Sequence, residues 1–329
     1  MKNYKGKKVA VIGLGNIAER HRENLKKLFP KSYIYVLSAS GRSIENFSLI
    51  KHADEVAENI DYIINQKVDW AILASPASVR KEFAEPLLKN KIPILLEKPV
   101  ADNLADGVFI ENIAHKYSTS VGVGYCCRFL TPAIKIKKLI DRDAIGRIFY
   151  GSFLVGSFMP RWRPRLDFRQ SVSSKARLGG GALLELSHEI DLALWFFGKL
   201  QVDFAKLSSS KELNLEIEDT VNINASSNKG CNINIHLNFL QKVPSRFCYI
   251  VGTEGTISWD LLTNKAEIIT DNEKKIVHDE SNSDTNEMYL EMIRHFEAMI
   301  NHKENRSISI HEGNNVLEFI ECVRKINHN

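Results

Sequence analysis

A glycine-rich turn between a β-branched run and an amphipathic segment constrains this chain more than any other feature. Lys8-Val9-Ala10-Val11-Ile12 ends at Gly13, and Gly13-Leu14-Gly15-Asn16-Ile17-Ala18 reads G-x-G-x-x-A. The segment Asn16 to Leu28 follows, with Ile17, Leu25 and Leu28 among its apolar positions. Between a strand and a helix, that spacing is the dinucleotide-binding fingerprint. Gly13 is expected to make the tight turn, Gly15 to let the backbone approach a pyrophosphate, and Ala18 to let helix pack closely on strand. The N–H groups of Asn16 and Ile17 then open a helix whose positive end suits phosphate.

The pattern that follows is a repeat of apolar strands and helices. Tyr33-Ile34-Tyr35-Val36-Leu37, Asp69-Trp70-Ala71-Ile72-Leu73-Ala74, Pro93-Ile94-Leu95-Leu96 and Ser120-Val121-Gly122-Val123-Gly124 read as buried strands. Helical stretches are expected around 43–52, 60–66, 79–90 and 105–116. Near-continuous apolar strands alternating with helices argue for a parallel sheet covered on both faces. Ligands of such sheets bind beyond the carboxyl ends of the strands. Ser75 and Pro76, just past the Trp70 run, are therefore expected to touch a cofactor.

After about Tyr125 the texture changes to strand-like alternation with short turns, such as Asn228-Lys229-Gly230. This predicts a mostly antiparallel sheet, interrupted by one long helix over 182–197 and closed by helices near 286–300 and 313–326. At roughly 150 residues per domain, a chain of 329 residues suggests two. The expected division is 1–125, a Rossmann dinucleotide-binding domain, and 126–329, a substrate-binding and oligomerisation domain. The fold class is α/β.

The end of the second strand distinguishes cofactors. An acid about 20 residues past the glycines commonly binds the adenosine ribose. Here Leu37-Ser38-Ala39-Ser40-Gly41-Arg42-Ser43 contains none. Arg42 with the hydroxyls of Ser38 and Ser40 suits a 2′-phosphate, so NADP is preferred over NAD.

Leu96-Glu97-Lys98-Pro99 places a charged pair at a parallel strand's carboxyl end, where it is expected to face the ligand crevice. Glu97 is expected to tether Lys98 or touch the cofactor. With the upstream G-x-G-x-x-A, this E-K-P resembles the Gfo/Idh/MocA family of NAD(P)-dependent sugar and cyclitol oxidoreductases. Tyr125, Arg128, Phe129 and Pro132 resemble that family's G-Y-x-x-R-F-x-x-P. Gly179-Gly180-Gly181 followed by Glu185, Ser187-His188-Glu189-Ile190 and Asp191 resembles its S-H-E-[IL]-D branch, common in surface-polysaccharide biosynthesis. Trp162-Arg163-Pro164 and Asp167-Phe168-Arg169-Gln170-Ser171 resemble the same branch, with Val172 standing where a Tyr is expected. Gly252-Thr253-Glu254-Gly255-Thr256 resembles a family turn in the second domain.

The resemblance implies an N-terminal Rossmann domain and a C-terminal α/β domain with a large, open, mostly antiparallel sheet. It also implies a homodimer or homotetramer formed through that sheet. Hydride transfer is then expected with Lys98 as acid/base. His188 would hydrogen-bond the same hydroxyl, and Glu185 and Asp191 would orient His188 or bind adjacent hydroxyls. The i, i+3 spacing of Glu185, His188 and Asp191 suggests one shared helix face. Tyr125, Arg128, Trp162 and Arg169 complete the expected substrate contacts, and the family's helix-one histidine, here His21, is expected to be structural. The substrate would be a sugar, sugar acid or nucleotide sugar. Two other readings stay open: a non-catalytic sensor of NAD(P) or sugar, and a lyase or glycosidase that uses bound nicotinamide transiently.

Composition removes other classes. Lys and Arg number 44 against 40 Asp and Glu, a net charge of +4 with no basic block, which argues against nucleic-acid or membrane-surface binding. The five cysteines form no C-x-x-C, so neither a zinc ribbon nor a disulfide framework is expected. No metal is expected: Glu185, His188 and Asp191 are a thin ligand set without a further His or Cys cluster. The start carries no long apolar stretch, and the expected location is cytoplasmic.

Overall fold

The structure, a computed structural model, describes residues 6–40, 50–162, 164, 167–279 and 284–327. The chain forms two compact units. The first comprises Met1–Tyr125 with Tyr289–Leu317, the second Cys126–Met288 with Glu318–Asn329.

The first unit is built on a six-stranded parallel sheet. Its strands are β1 (Lys8–Ile12), β2 (Tyr33–Leu37), β3 (Glu55–Val56), β4 (Trp70–Leu73), β5 (Ile94–Leu96) and β6 (Val121–Val123), in the order β3-β2-β1-β4-β5-β6. The central strands are buried along nearly their whole length, which is why they read as unbroken apolar runs. Helices α1 (Asn16–Leu28), α2 (Ile60–Asn65), α3 (Arg80–Lys89) and α4 (Leu104–Tyr117) connect them. Asn59 and Asn103 cap α2 and α4 by accepting from the N–H groups of Tyr62 and Asp106, at 2.8 and 2.9 Å. The helix expected around 43–52 falls mostly outside the described residues, and 50–52 are not helical.

A division at 125/126 alone would leave Tyr289–Leu317 in the second unit. Instead this segment packs against the first. Phe296 meets Trp70 edge-on at 5.2 Å, and the Val123 N–H donates to the Ile308 carbonyl at 2.9 Å. Gly313 lies so close to Val100 and Val123 that a Cβ there would approach the Val100 side chain to 2.5 Å.

The second unit carries an eight-stranded sheet in the order β14-β13-β12-β11-β7-β10-β9-β8. Its strands are β7 (Ile148–Gly156), β8 (Leu200–Ser208), β9 (Thr220–Ser227), β10 (Asn232–Asn238), β11 (Ser245–Gly252), β12 (Thr256–Asp260), β13 (Lys265–Ile269) and β14 (Lys274–Asp279). Every neighbouring pair is antiparallel except β7 with β10. Helix α5 (Thr131–Asp141) precedes the sheet, and α8 (Glu287–Ile300) and α9 (Ile310–Asn327) follow it.

The long helix expected over 182–197 is two helices, α6 (Ala182–Glu185) and α7 (His188–Phe197). Leu186 leaves the helical region (φ −98°, ψ 26°) and closes α6. The apolar pattern runs on through Leu186, so periodicity alone does not reveal the break. Among the described residues no helix is long and apolar enough to cross a membrane.

Candidate active site

Four backbone hydrogen bonds align the carboxyl ends of the first unit's strands. Gly13 N donates to Leu37 O (2.9 Å), Ala74 N to Ile12 O (2.8 Å), Glu97 N to Leu73 O (3.0 Å) and Gly124 N to Leu96 O (2.7 Å). The turn at Gly13, the Ser75-Pro76 segment and Glu97-Lys98 therefore share one edge of the sheet. Gly13 has φ +123°, and a Cβ there would lie 2.5 Å from the Ala74 carbonyl oxygen. Only glycine fits that position. Gly15 differs: a Cβ would meet nothing within 4 Å. That open space lies at the start of α1, where no side chain caps the first-turn N–H groups of Asn16 and Ile17. An exposed glycine beside an uncapped helix N-terminus is a cradle for a phosphate.

Glu97 is the polar centre of this edge. Its Oε1 lies 2.6 Å from His21 Nε2, and its Oε2 accepts from the Lys98 N–H at 3.2 Å. Burial pushes the Glu97 carboxyl up, but His21, Lys98 and Arg80 together outweigh it and hold it below the usual carboxylate range. His21 is fully buried and also meets Tyr289 edge-on at 6.2 Å.

Arg80 is the residue that the motifs do not reveal. It is buried at the start of α3, and its guanidinium donates to the carbonyls of Glu97 and Pro99 and, at 2.7 Å, to that of Ser75. It ties the loops after β4 and β5 together. Desolvation lowers its pKa to about 10, with Glu97 opposing. A lone arginine on an amphipathic helix carries no sequence signal for this role. Lys98 is half-buried, and the Lys98-Pro99 peptide is cis. Ser75 is buried, and its Oγ has no hydrogen-bond partner among the described residues. Pro76 begins the short turn Ala77–Val79. Ser38 and Ser40 follow β2 with their hydroxyls 3.4 Å apart, while Arg42 lies outside the described residues.

The second unit gathers a separate set. Arg128, in the short helical turn Cys126–Phe129, grips Asp191 of α7 with Nε–Oδ2 3.0 Å and Nη2–Oδ1 2.7 Å. Both are buried. The expected substrate guanidinium is thus occupied inside the protein, and Asp191 faces Arg128. Burial pushes the Asp191 carboxyl up, with Arg128 opposing. Glu189 is likewise buried and accepts from Arg246 Nε at 2.6 Å. Arg246 Nη2 reaches Cys127 Sγ at 3.3 Å.

Glu185 does not share one helix face with His188, because α6 ends at Glu185 and α7 begins at His188. A half-buried carboxylate from elsewhere shapes α6: Glu218 accepts from Leu183 N at 3.0 Å and fills the space a Cβ on Gly181 (φ +111°) would need. His188 is half-buried. Trp162 donates from Nε1 to Ser157 Oγ at 2.8 Å and packs edge-on against Phe239. Arg169 is exposed, 3.6 Å from Asp167 and 4.7 Å over the Phe168 ring; Arg163 lies outside the described residues. Tyr125, at the end of the first unit's N-terminal stretch, is fully buried.

Comparison with known proteins agrees with both units. Residues 7–125 match the GFO/IDH/MocA oxidoreductase family's NAD-binding Rossmann fold, and residues 133–258 match the GFO/IDH/MocA C-terminal domain. The chain is 26% identical over 212 residues to glucose-6-phosphate 3-dehydrogenase of Bacillus subtilis, covering 64% of this chain and 59% of that protein. It is 25% identical over 193 residues to inositol 2-dehydrogenase of Rubrobacter xylanophilus, covering 57% and 51%. These matches span between about half and three-fifths of the relatives' lengths. A levoglucosan dehydrogenase solved with NADH and levoglucosan has the same fold, with a TM-score of 0.83 at 17% identity, covering 98% of this chain and 97% of the other. The N-terminal fingerprint, the strand-end Glu97-Lys98-Pro99 and the two matched domains together establish that this chain belongs to the GFO/IDH/MocA family.

Proposed function

We propose that this chain is an NAD(P)-dependent dehydrogenase that transfers a hydride to or from a hydroxyl-bearing carbon of a sugar, sugar acid or nucleotide sugar. The observation that carries the reading is the shared sheet edge: the open Gly15 turn with its uncapped α1, and Glu97-Lys98 at the end of β5. The Ser75 Oγ on the same edge, without a hydrogen-bond partner among the described residues, supports it. Relatives named as dehydrogenases of a phosphorylated sugar and of a cyclitol support the substrate class.

Gly13, Gly15, Asn16 and Ile17 would hold the pyrophosphate. Ser75, Pro76 and Glu97 would border the rest of the dinucleotide. Ser38 and Ser40, with Arg42 beyond the described residues, would meet the adenosine ribose. Because β2 ends without an acid, NADP is preferred over NAD. When bound, the nicotinamide supplies the hydride acceptor or donor.

Lys98 handles the proton. In the oxidative direction the carbinol C–H bond breaks with its electron pair, the O–H proton passes to Lys98 Nζ, and the C=O bond forms. In the reductive direction Lys98 returns the proton to the new alkoxide oxygen. Glu97, fixed by His21, holds the Lys98 backbone N–H. His188, Trp162 and Arg169 are proposed as substrate contacts. Arg128 and Asp191 act as positioning residues for α7, on which His188 sits. The exposed face of the second unit's sheet would mediate a homodimer or homotetramer.

The experiment is turnover of NAD⁺ and NADP⁺ against a panel of sugars, sugar acids, cyclitols and nucleotide sugars, followed by reduced-nicotinamide absorbance. Lys98→Ala is expected to lower kcat about 100-fold or more while leaving nucleotide affinity nearly unchanged. A variant within tenfold of wild-type turnover overturns the role of Lys98. Tight nucleotide binding by the wild type without reduction of any candidate favours the sensor reading.

A further inference from the structure

Cys126 and Cys127, two thiols that the dehydrogenase reading does not use, cluster with His188, which that reading proposes as a substrate contact. Both sulfurs and one imidazole nitrogen lie within 4.8 Å of one another, and all three residues belong to the second unit. The cluster is assembled by fold rather than by spacing. Cys126-Cys127 lies in the turn before α5, while His188 opens α7, about 60 residues later.

We propose that Cys126, Cys127 and His188 bind a thiophilic divalent cation of the zinc type, with two sulfurs, one nitrogen and a fourth position left to water or a small ligand. Zinc–sulfur bonds of about 2.3 Å and zinc–nitrogen bonds of about 2.0 Å put neighbouring tetrahedral donors roughly 3.6–3.8 Å apart. The observed cluster is within about 1 Å of that spacing, a difference that side-chain rotation covers. Two thiolates and an imidazole select zinc over magnesium or calcium, which require oxygen donors.

The surroundings fit a cation. The neighbouring charges are closed in pairs, Arg246 with Glu189 at 2.6 Å and Arg128 with Asp191 at 2.7 Å. Two thiolates and a divalent ion would therefore add no net charge to this interior. Arg246 Nη2, 3.3 Å from Cys127 Sγ, supplies an outer hydrogen bond of the kind that orients a metal-bound sulfur. Cys126 and Cys127 are each 1% exposed, and His188 is half-buried. The other cysteines lack such a setting. Cys231, just before β10, and Cys248, on β11, are buried outside the cluster, and Cys322 is exposed on α9.

The test uses the full-length protein carrying Cys322→Ser, which removes the exposed thiol. Titration with Co²⁺ is expected to give a thiolate-to-cobalt charge-transfer band that saturates at one metal per chain, and zinc is expected to abolish it. The same protein carrying Cys126→Ser and Cys127→Ser is expected to lose the band. Absence of the band, or its full retention in that variant, overturns the site. X-ray absorption at the zinc edge of the zinc-loaded Cys322→Ser protein gives a second readout that needs no change to a buried residue. Two sulfurs at about 2.3 Å support the proposal, and a shell of nitrogen and oxygen alone defeats it.

Discussion

His21 Nε2 lies 2.6 Å from Glu97 Oε1, both side chains are buried, and the bond joins the first helix to the end of β5. The helix that opens at the Gly15 turn and the strand that delivers Lys98 are therefore held by one polar contact.

Removing the acid leaves a buried imidazole facing nothing. Glu97→Ala is expected to cost about 3 kcal/mol of unfolding free energy, and Glu97→Gln, which keeps an acceptor, about 1 kcal/mol. The pH dependence has a definite sign. Glu97 is held below its ordinary value of 4.5, so its contribution is fully present above that value and is lost as pH falls through the lower folded-state value. Denaturant unfolding from pH 7 to pH 3 should show wild type losing its advantage over Glu97→Gln only below about pH 4.5. A constant gap between the two across that range would show that the carboxylate's charge is not the source.

The two fingerprint glycines should separate folding from binding. Gly13 sits at φ +123° against the Ala74 carbonyl, so Gly13→Ala is expected to destabilise by about 1–3 kcal/mol. Gly15 has an extended backbone and open space around its missing Cβ, so Gly15→Ala should leave thermal stability unchanged. If a pyrophosphate uses that space, the same variant weakens nucleotide binding about tenfold or more, roughly 1.4 kcal/mol. Calorimetric Kd values beside melting curves decide this. A Gly15→Ala protein that binds nucleotide like wild type places the phosphates elsewhere.

Much of the first unit was legible from residue type because its strands are buried on both faces, and Val9 to Ile12 or Trp70 to Leu73 therefore carry no polar interruption. The strand-end position of Glu97-Lys98 was legible for the same reason. Long-range contacts were not. The edge-on Trp70–Phe296 contact, which ties residues 289–317 to the first unit, joins positions more than 200 apart. The break between α6 and α7 lies in an apolar pattern that continues through it, and Glu218, which satisfies Leu183 N, comes from 35 positions away. Arg128 and Asp191 were recognisable as site residues by type, but their mutual pairing, 63 positions apart, was not.

That pairing makes a double-mutant cycle informative. Arg128 also lies over the Trp195 ring at 5.5 Å, so its charge is enclosed on two sides. Arg128→Ala and Asp191→Ala each leave an uncompensated buried charge and are expected to cost about 3–5 kcal/mol. The double variant should cost much less than the sum, with a coupling of about 2 kcal/mol or more. Additive losses in urea unfolding would mean that the two groups act independently, and that Arg128 is available to substrate after all.

The final prediction concerns the outer face of the second unit's sheet. Tyr249 pairs with Ser152 on β7 and Ser258 on β12, and Phe247 with Leu154 and Asp260, so the two aromatic rings project from one face two positions apart on β11. Phe204 on β8 and Ile276 on β14, in the same row as Tyr249, are 51% and 54% exposed. A second copy of the chain related by a two-fold axis would cover such a face. Sedimentation at micromolar concentration is expected to show a dimer or tetramer. Phe247→Asp with Tyr249→Asp should reduce it to a smaller species, because each carboxylate would be desolvated opposite its symmetry mate. A wild-type protein that sediments as a monomer would leave this face without its proposed partner.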